Sequence, residues 1–158
     1  MSEQPVIHDT FVIERTYPKS AARVFAAFSD AVTKRRWYAE GDTRTVEVFD
    51  MDFRVGGTER LVCRLTDATP FPGVEIENDG RYIDIVPDQR IVSAASMALG
   101  GKRISAAMVT IELVPAGAGT TLICTHYAAY FEGSDGPQMR KVGWEALFAN
   151  LEKELERE

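Results

Sequence analysis

Three polar side chains of this sequence lie in strand-like segments at positions whose neighbours of the same parity are apolar. They are Arg15, Asp84 and His126. Because alternate side chains of a strand face the same side of a sheet, each is predicted to point inward. A buried guanidinium, carboxylate or imidazole is costly unless it meets another polar group, water or a ligand. The pattern indicates a polar floor in an apolar ligand pocket. The alternative is that Arg15 and Asp84 lie solvated at strand ends and that His126 is a hydrogen-bonded core residue.

Acid–base catalysis is a second interpretation of two of these residues. A histidine beside a carboxylate can have a pKa suited to proton transfer near neutral pH. Asp84 and His126 would form such a pair, as in a cyclase, dehydratase or hydrolase, only if the fold brings their strands together. We favour a binding protein over an enzyme, and Asp84 and His126 remain catalytic candidates without a firm assignment.

Five further residues are candidates for contact with an apolar ligand: Trp37, Tyr82, Met108, Met139 and Asn150. Tyr82 would help to orient the polar end of the ligand. Trp37 offers aromatic contact, and its alternative role is a staple that docks a helix pair onto the sheet. Methionine suits an adaptable apolar wall, and filling of the core is the alternative for Met108 and Met139.

Motifs for metals and cofactors are missing from the sequence. His8 and His126 are the only histidines, and Cys63 and Cys124 are far apart, so no metal-ligand spacing occurs. The paired glycines lack the pattern of a phosphate loop or dinucleotide fingerprint. A nucleophile motif of the G-x-S-x-G type is also missing. The sequence therefore predicts no metal and no cofactor.

Composition and charge restrict the classes of partner. The 158 residues carry a net charge of −6, which argues against nonspecific binding to nucleic acid or anionic lipid. The basic cluster 34–36 is interpreted as a solvated helix face. No apolar run approaches the ~20 residues needed to span a bilayer. Residues 1–9 lack a signal peptide and the two cysteines are interpreted as reduced, so the expected compartment is the cytoplasm.

Two short helices are predicted near the N-terminus. A strand that includes Phe11 and Tyr17 ends at Pro18. Ser20 then offers an N-cap for the first helix and Asp30 for the second. Gly41 is predicted to end the second helix. The strand and this bent helix pair open the chain.

The central segment reads as an antiparallel meander. Alternating patterns from Thr43 onward, with turns at the glycine pairs 56–57 and 100–101, predict hairpins. Further strands are predicted over 82–86, 91–99, 104–113 and 120–130. The segment 69–80 is interpreted as a long loop or as a frayed edge strand that begins near Val74.

The C-terminal segment is predicted to be one long helix. Its apolar stripe, which recurs at helical spacing, comprises Trp144, Leu147, Phe148, Leu151 and Leu155. The pair Gly143-Trp144 is taken as its opening. The acidic tail 152–158 is expected to fray, because the helix macrodipole disfavours anions there. The chain is therefore predicted to be one α+β domain, 1–158 with a core of about 9–155, in which a curved sheet encloses a terminal helix and a cavity.

The order and spacing of several short motifs resemble a known family. The motifs are Arg15 to Pro18, Val24 to Asp30, Trp37, Arg54 to Gly57, Gly80 to Asp84, Pro87, Arg90-Ile91, Gly119 to Leu122, Thr125-His126 and Gly143-Trp144. Together they resemble a START-like (SRPBCC, helix-grip) protein of the heat-shock-protein-90 ATPase activator homologue group, from about Asp9 to Leu155.

The resemblance implies a β-α-α-β(5–6)-α helix-grip fold with a pocket between the sheet and the last helix. Relatives bind lipids, polyketides or aromatic molecules, so the expected partner is a small hydrophobic molecule. A chaperone-associated interaction module is a third hypothesis, but the chaperone-activating role belongs to longer eukaryotic proteins with an additional domain. The oligomeric state stays open, a homodimer included.

Overall fold

The computed structural model describes residues 5–157. The ends of the sequence discussed above, 1–4 and 158, lie outside the described residues. In chain order the elements are β1 (Ile7–Tyr17), α1 (Ala21–Ser29), α2 (Ala31–Lys34), a π-helical turn (Arg35–Ala39), β2 (Arg44–Met51), β3 (Thr58–Leu65), β4 (Glu75–Val86), β5 (Arg90–Leu99), β6 (Lys102–Ala116), β7 (Gly119–Tyr130) and α3 (Gly136–Leu155).

All seven strands form one antiparallel sheet in the order β1-β7-β6-β5-β4-β3-β2. Strands β2 to β7 form a meander in which each strand pairs with the next along the chain. The first strand then pairs with β7, so Phe11 lies opposite His126. The predicted α+β helix-grip fold, β-α-α-β(6)-α, is confirmed.

Local capping begins both N-terminal helices at the predicted residues. The Ser20 hydroxyl accepts a hydrogen bond from the Arg23 amide at 3.1 Å. An Asp30 carboxylate oxygen accepts one from the Thr33 amide at 3.0 Å. Each bond satisfies a backbone donor that the first helical turn leaves free. The second helix continues as the π-helical turn and ends at Ala39, before the predicted Gly41.

The terminal helix begins earlier than its apolar stripe suggests. Asp135 is the N-cap residue of α3, and Pro137 lies in its first turn, where the missing amide proton costs nothing. The prediction that Gly143-Trp144 opens the helix was wrong, because both residues lie within it. About two additional helical turns therefore precede Gly143 and place Arg140 against the sheet, where it bonds to Ser105 of β6.

The acidic end of α3 is held by an ion pair instead of fraying. Glu154 is 5% exposed and accepts hydrogen bonds from Arg36 Nε at 3.0 Å and Nη2 at 2.8 Å. These hydrogen bonds hold the pKa of Glu154 below its ordinary value. The predicted fraying of 152–158 is wrong for 152–155, which are helical, because two charge-assisted bonds from another element oppose the unfavourable macrodipole. Glu156 and Arg157 lie beyond the helix.

Strand β4 is internal and longer than predicted. It runs continuously from Glu75 to Val86 and pairs with β3 on one side and β5 on the other. The alternatives of a loop or an edge strand over 69–80 are therefore wrong from Glu75 onward. Two neighbouring strands satisfy its backbone hydrogen bonds despite a polar sequence that includes Gly80.

The core lies between one face of the sheet and the three helices. Trp37 is 2% exposed, and its indole Nε1 donates to the Ala27 carbonyl oxygen at 2.8 Å. The Tyr17 hydroxyl donates to the Phe148 carbonyl oxygen at 3.2 Å and ties β1 to α3. Among the described residues, no helix is both long and apolar enough to cross a membrane.

Candidate functional site

A cavity with two chambers lies between the helix-covered face of the sheet and α3. The first, here called the apolar chamber, has a volume of about 80 Å³, and the second, the polar chamber, about 220 Å³. Both are lined by Tyr38, Asn78, Ala95, Val109 and Trp144, which form their common wall. A single water needs only roughly 10–15 Å³, so both chambers admit larger groups.

The apolar chamber is walled mainly by aromatic and aliphatic side chains. Its walls include Phe28, Trp37, Phe53, Ile91, Val109 and Ile111. Gly80 also lines it, and a Cβ there would lie 3.2 Å from the Ala95 Cβ and the Ala94 carbonyl oxygen. Because Gly80 has no side chain, the Ala95 side chain can lie close to the backbone of β4, and this part of the chamber wall carries no side chain of its own.

A buried polar cluster closes one end of the apolar chamber. Lys34 Nζ lies 2.6 Å from Glu59 Oε1, and the two side chains are only 12% and 15% exposed. The Tyr82 hydroxyl donates to the same Glu59 oxygen. Burial raises the pKa of the Tyr82 phenol, and the Glu59 charge raises it further. Lys34 also lies 4.6 Å from the centre of the Tyr38 ring, a cation–π contact.

The polar chamber contains a second buried ion pair. Arg140 is 9% exposed and donates from Nε and Nη2 to the two Asp135 carboxylate oxygens, both at 2.8 Å. Its Nη2 also donates to Ser105 Oγ at 3.0 Å. Burial alone would raise the pKa of Asp135, but the hydrogen bonds and charge of Arg140 outweigh burial and hold the pKa below its ordinary value.

His126 lies in the wall of the polar chamber with part of its hydrogen-bonding capacity unused. It is 1% exposed and stacks on Phe11, with ring centres 4.5 Å apart. Within residues 5–157, no group hydrogen-bonds to its Nδ1 atom. Burial, with a smaller contribution from the charge of Arg140, lowers the pKa of His126 to about 4. The imidazole is therefore neutral at pH 7 and able to bond to a ligand.

Asp84 does not reach the cavity, so the prediction that it points inward was wrong. Tyr82 pairs with Ser93 of β5, but Asp84 pairs with Val92, because a β-bulge inserts Ile83 between them. The additional residue reverses the parity and turns Asp84 to the opposite face of the sheet. There it forms a 2.7 Å ion pair with Arg90, both side chains being more than 40% exposed.

The predicted acid–base pair is therefore not formed. His126 shares the inner face with its register partner Val109, which lines both chambers. Asp84 lies on the outer face, so no single water can connect the two groups. The hypothesis of catalysis by Asp84 and His126 fails on this geometry.

Four of the other predicted site residues are only peripheral or lie elsewhere. Met108 is 48% exposed and lies on the outer face, one residue from the inward Val109. Met139 lines the polar chamber but is 65% exposed, so it belongs to the rim. Arg15 forms an exposed ion pair with Glu145 at 3.7 Å. Asn150 donates to the Trp37 carbonyl oxygen at 3.5 Å, beside a surface groove outside both chambers.

The placement of Trp37, Tyr82 and His126 agrees with the sequence-based expectation. Trp37 and Tyr82 line the apolar chamber and His126 lines the polar chamber. Trp37 is also the staple of the alternative interpretation, since it packs edge-to-face on Phe28 with ring centres 5.0 Å apart. Contact of these residues with a ligand stays a prediction.

Sequence reasoning missed the ionic residues of the site, although two of them carried a signal. Glu59 has the strand parity of the buried Leu61, which places its carboxylate on the apolar face. Arg140 precedes Trp144 by four residues and so continues the apolar helix stripe. Lys34 was interpreted as part of a solvated face, because nothing local in the sequence identifies its distant partner.

The described residues offer no obvious metal site. Within 5–157, no three His, Cys, Asp or Glu side chains lie together in a way that could hold a metal ion. The polar groups of the cavity are instead arranged as two ion pairs, a neutral imidazole and several hydroxyl and amide groups. Such an arrangement can orient a small organic molecule by hydrogen bonds.

The chain is similar to one protein family and to several solved structures. The model of the family "Activator of Hsp90 ATPase homolog 1-like protein" matches residues 18–156. A solved structure from Rhizobium leguminosarum has a TM-score of 0.90 and 38% identity, covering 98% of each chain. One from Rhizobium loti has a TM-score of 0.83 and 46% identity, covering 96% of this chain and 99% of its own.

A more distant structure has the same fold. The AHSA1-like protein from Aeromonas hydrophila has a TM-score of 0.68 and 18% identity, covering 94% of this chain and 92% of its own. At this identity the likeness concerns the fold alone. A comparison with curated proteins found no match.

Proposed function

The chain belongs to the Activator of Hsp90 ATPase homolog 1-like family, within the START-like (SRPBCC) superfamily, and we propose that it binds a small hydrophobic molecule. The proposed site is the cavity with two chambers between the sheet and α3. The expected ligand is a lipid, a polyketide or an aromatic molecule. The family membership supports a ligand-binding fold, and the cavity supports the place of binding.

The observation that carries this proposal is the apolar chamber opening onto polar groups. Aromatic and aliphatic walls bury ligand surface, and burial stabilises a complex by ~25 cal/mol per Å² before the entropic costs of association. A contact of roughly 150 Å² would thus contribute about 4 kcal/mol. Convergent polar side chains beside an apolar wall are typical of sites that fix a ligand's orientation.

Polar groups at the two ends of the cavity would orient the ligand. At the end of the apolar chamber, Glu59 already accepts bonds from Lys34 and Tyr82 through Oε1. Among residues 5–157 no hydrogen bond involves its Oε2 atom, which can accept from a ligand hydroxyl or amine. In the polar chamber, the unpartnered Nδ1 of His126 offers a second bond. A ligand with polar groups at both ends would satisfy both sites.

The other two hypotheses have weaker support. An enzyme that uses Asp84 with His126 is not retained, because the two side chains lie on opposite faces of the sheet. A chaperone-associated module has only the family description as support, whereas ligand binding also has the cavity. We therefore favour ligand binding.

The proposed compartment is the cytoplasm. Cys63 and Cys124 are both buried and unpaired, which fits a reducing environment. Burial raises the pKa of each thiol, most strongly that of Cys124 to about 12. Neither thiol is therefore poised to react, and both serve as small apolar core residues.

The proposal is tested by filling the cavity. Ala95 lines both chambers, and Ala95→Leu would occupy their common wall. Ala94, its neighbour on β5, pairs with the outward Met108 and faces away from the cavity, so Ala94→Leu is the matched control. Binding is measured with N-phenyl-1-naphthylamine, an uncharged probe whose fluorescence rises in apolar surroundings.

We expect the wild-type protein and Ala94→Leu to bind this probe with the same affinity. Ala95→Leu should bind it with an affinity lower by roughly 10-fold or more, since a filled site must distort to admit a ligand. Circular dichroism would check that both variants fold. Equal binding by all three proteins would place the probe outside the cavity, and no binding by the wild-type protein would contradict the proposal.

A further inference from the structure

The polar chamber has more positive than negative charge in its walls. Arg44 and Arg140 both line it, and Asp135 is the one carboxylate among the described residues that do so. The apolar chamber differs, because Lys34 and Glu59 at its closed end neutralise each other. Charge in the cavity is thus concentrated in the chamber that contains the two arginines.

Neither arginine uses all its donors. Arg140 binds Asp135 and Ser105 through Nε and Nη2. Arg44 donates from Nε to the Ala39 carbonyl oxygen at 2.7 Å and from Nη2 to the Tyr38 carbonyl oxygen at 2.9 Å. In the described part of the chain, no hydrogen bond involves the Nη1 group of either arginine, and each Nη1 carries two N–H donors.

Arg44 also has no carboxylate to neutralise it. Both of its acceptors are backbone carbonyl oxygens at the end of the π-helical turn, where the negative end of the helix dipole stabilises a cation. Among the described ion pairs, none involves Arg44. The chamber therefore retains a surplus of about one positive charge.

The electrostatic effect of the two arginines is evident at neighbouring groups. Burial is the largest cause that lowers the pKa of His126, and the Arg140 charge adds to it. At Tyr38, which lies in the common wall, burial and then the charge of Glu59 raise the pKa of the phenol, while the charges of Arg44 and Arg140 oppose that rise. The charge of Arg140 thus acts on both groups, and that of Arg44 on Tyr38.

We propose that the ligand carries a carboxylate, which lies in the polar chamber against the free Nη1 groups of Arg44 and Arg140, while its apolar body fills the apolar chamber. This inference rests on the proposed function and adds the chemical class of the ligand, a hydrophobic carboxylic acid. His126 would donate or accept a further bond through Nδ1.

A monoanion fits the chamber better than a dianion. One carboxylate neutralises a surplus of one positive charge, whereas a phosphate dianion would leave uncompensated negative charge in a partly closed site. Guanidinium groups and carboxylates also match in geometry, because both are planar and bond through paired atoms. The Asp135–Arg140 pair already shows this geometry within the chamber.

The test compares two ligands of nearly equal shape. Calorimetric titration of the full chain with 2-naphthoate and with the neutral 2-naphthamide separates the contribution of the carboxylate from that of the ring. Because a hydrogen bond to a charged group contributes about 1.5–3 kcal/mol, naphthoate is expected to bind roughly 10-fold to 100-fold more tightly than naphthamide.

Two variants change the charge of the chamber in opposite directions. Arg44→Met removes one positive charge and should weaken naphthoate binding about 10-fold and naphthamide binding by much less, because a neutral amide gains less from a guanidinium than a carboxylate does. Asp135→Asn removes the carboxylate but keeps Arg140, and it should tighten the binding of naphthoate alone. If Arg44→Met fails to fold, Asp135→Asn still tests the sign of the effect.

The outcomes separate this inference from the proposal on which it depends. Equal affinity for the two ligands, or tighter binding of naphthamide, overturns the inference and leaves hydrophobic ligand binding intact. An unchanged naphthoate affinity in both variants also overturns it. Binding of neither ligand, together with failure of the uncharged fluorescent probe to bind, overturns the proposed function itself.

Discussion

The buried neutral histidine makes a quantitative prediction about stability and pH. His126 is 1% exposed, and its pKa falls from 6.5 to about 4 in the folded protein. Burial is the main cause, and the charge of Arg140 on α3 lowers the pKa further. An interaction of the ring with the backbone of His126 itself opposes this shift, and the charge of Asp135 opposes it more weakly. Phe11 and Trp144, the rings packed against it, carry no charge.

The direction in which the free energy of unfolding changes with pH depends on whether the folded or the unfolded state binds the proton at the higher pH. As the pH falls below 6.5, the unfolded chain protonates this histidine while the folded protein does not, so the folded state loses stability until the pH reaches about 4. One pKa unit corresponds to about 1.4 kcal/mol. The whole window is therefore worth about 3 kcal/mol, of which about 2 kcal/mol falls between pH 7 and pH 5.

The perturbation is His126→Met, which removes the titrating group and keeps an apolar side chain of similar size. Urea unfolding would be followed at pH 7, 6 and 5 by the fluorescence of Trp37 and Trp144, which contact the core. The wild-type protein should lose about 2 kcal/mol more free energy of unfolding between pH 7 and pH 5 than the variant. Carboxylates that titrate in both proteins cancel in this difference.

The matched control is His8→Gln, because His8 is the only other histidine and lies exposed on β1 beside the Tyr127 hydroxyl. This control should lose stability with the wild-type pH dependence. If wild type and His126→Met lose the same free energy of unfolding between pH 7 and pH 5, the reasoning from burial is refuted.

Four further substitutions test three other parts of the structure. Tyr82→Phe removes a buried hydrogen bond and should lower the free energy of unfolding by about 1 kcal/mol in urea titrations; no change would mean that the hydroxyl is not bonded. Asp84→Asn should change stability by less than about 0.5 kcal/mol and leave probe binding unaltered, because its ion pair is exposed; loss of binding would return Asp84 to the site. Glu154→Gln and Arg36→Gln should each lower the melting temperature, and the double variant should be no worse than the more damaging single one; additive losses would disprove a direct pair.

The helical caps could be predicted because their causes are local. Ser20 and Asp30 each bind an amide three residues later, so the short sequence around them contains both partners. Strand periodicity likewise requires only neighbouring residues. It gives Glu59 the same parity as Leu61, a signal that the sequence-based prediction of the site did not use. The fold class followed from the order of these local patterns.

The inward or outward direction of a side chain was predictable only where strand pairing is regular. His126 was placed correctly because β7 pairs with β1 and β6 without a register shift. Asp84 was placed incorrectly because one additional residue, Ile83, interrupts the pairing of β4 with β5. A bulge depends on both strands, and the sequence of one strand does not contain that information.

The succession of helices and strands, the caps and the alternating apolar faces could be predicted from the amino-acid sequence, since they depend on interactions within a few residues. Which charged groups meet depends on the folded chain, because Lys34 and Glu59 are 25 residues apart and Arg36 and Glu154 are 118 apart. Such pairs form when packing removes both members from water and each is then stabilised by the other. The two chambers and the surplus charge of one of them arise in the same way.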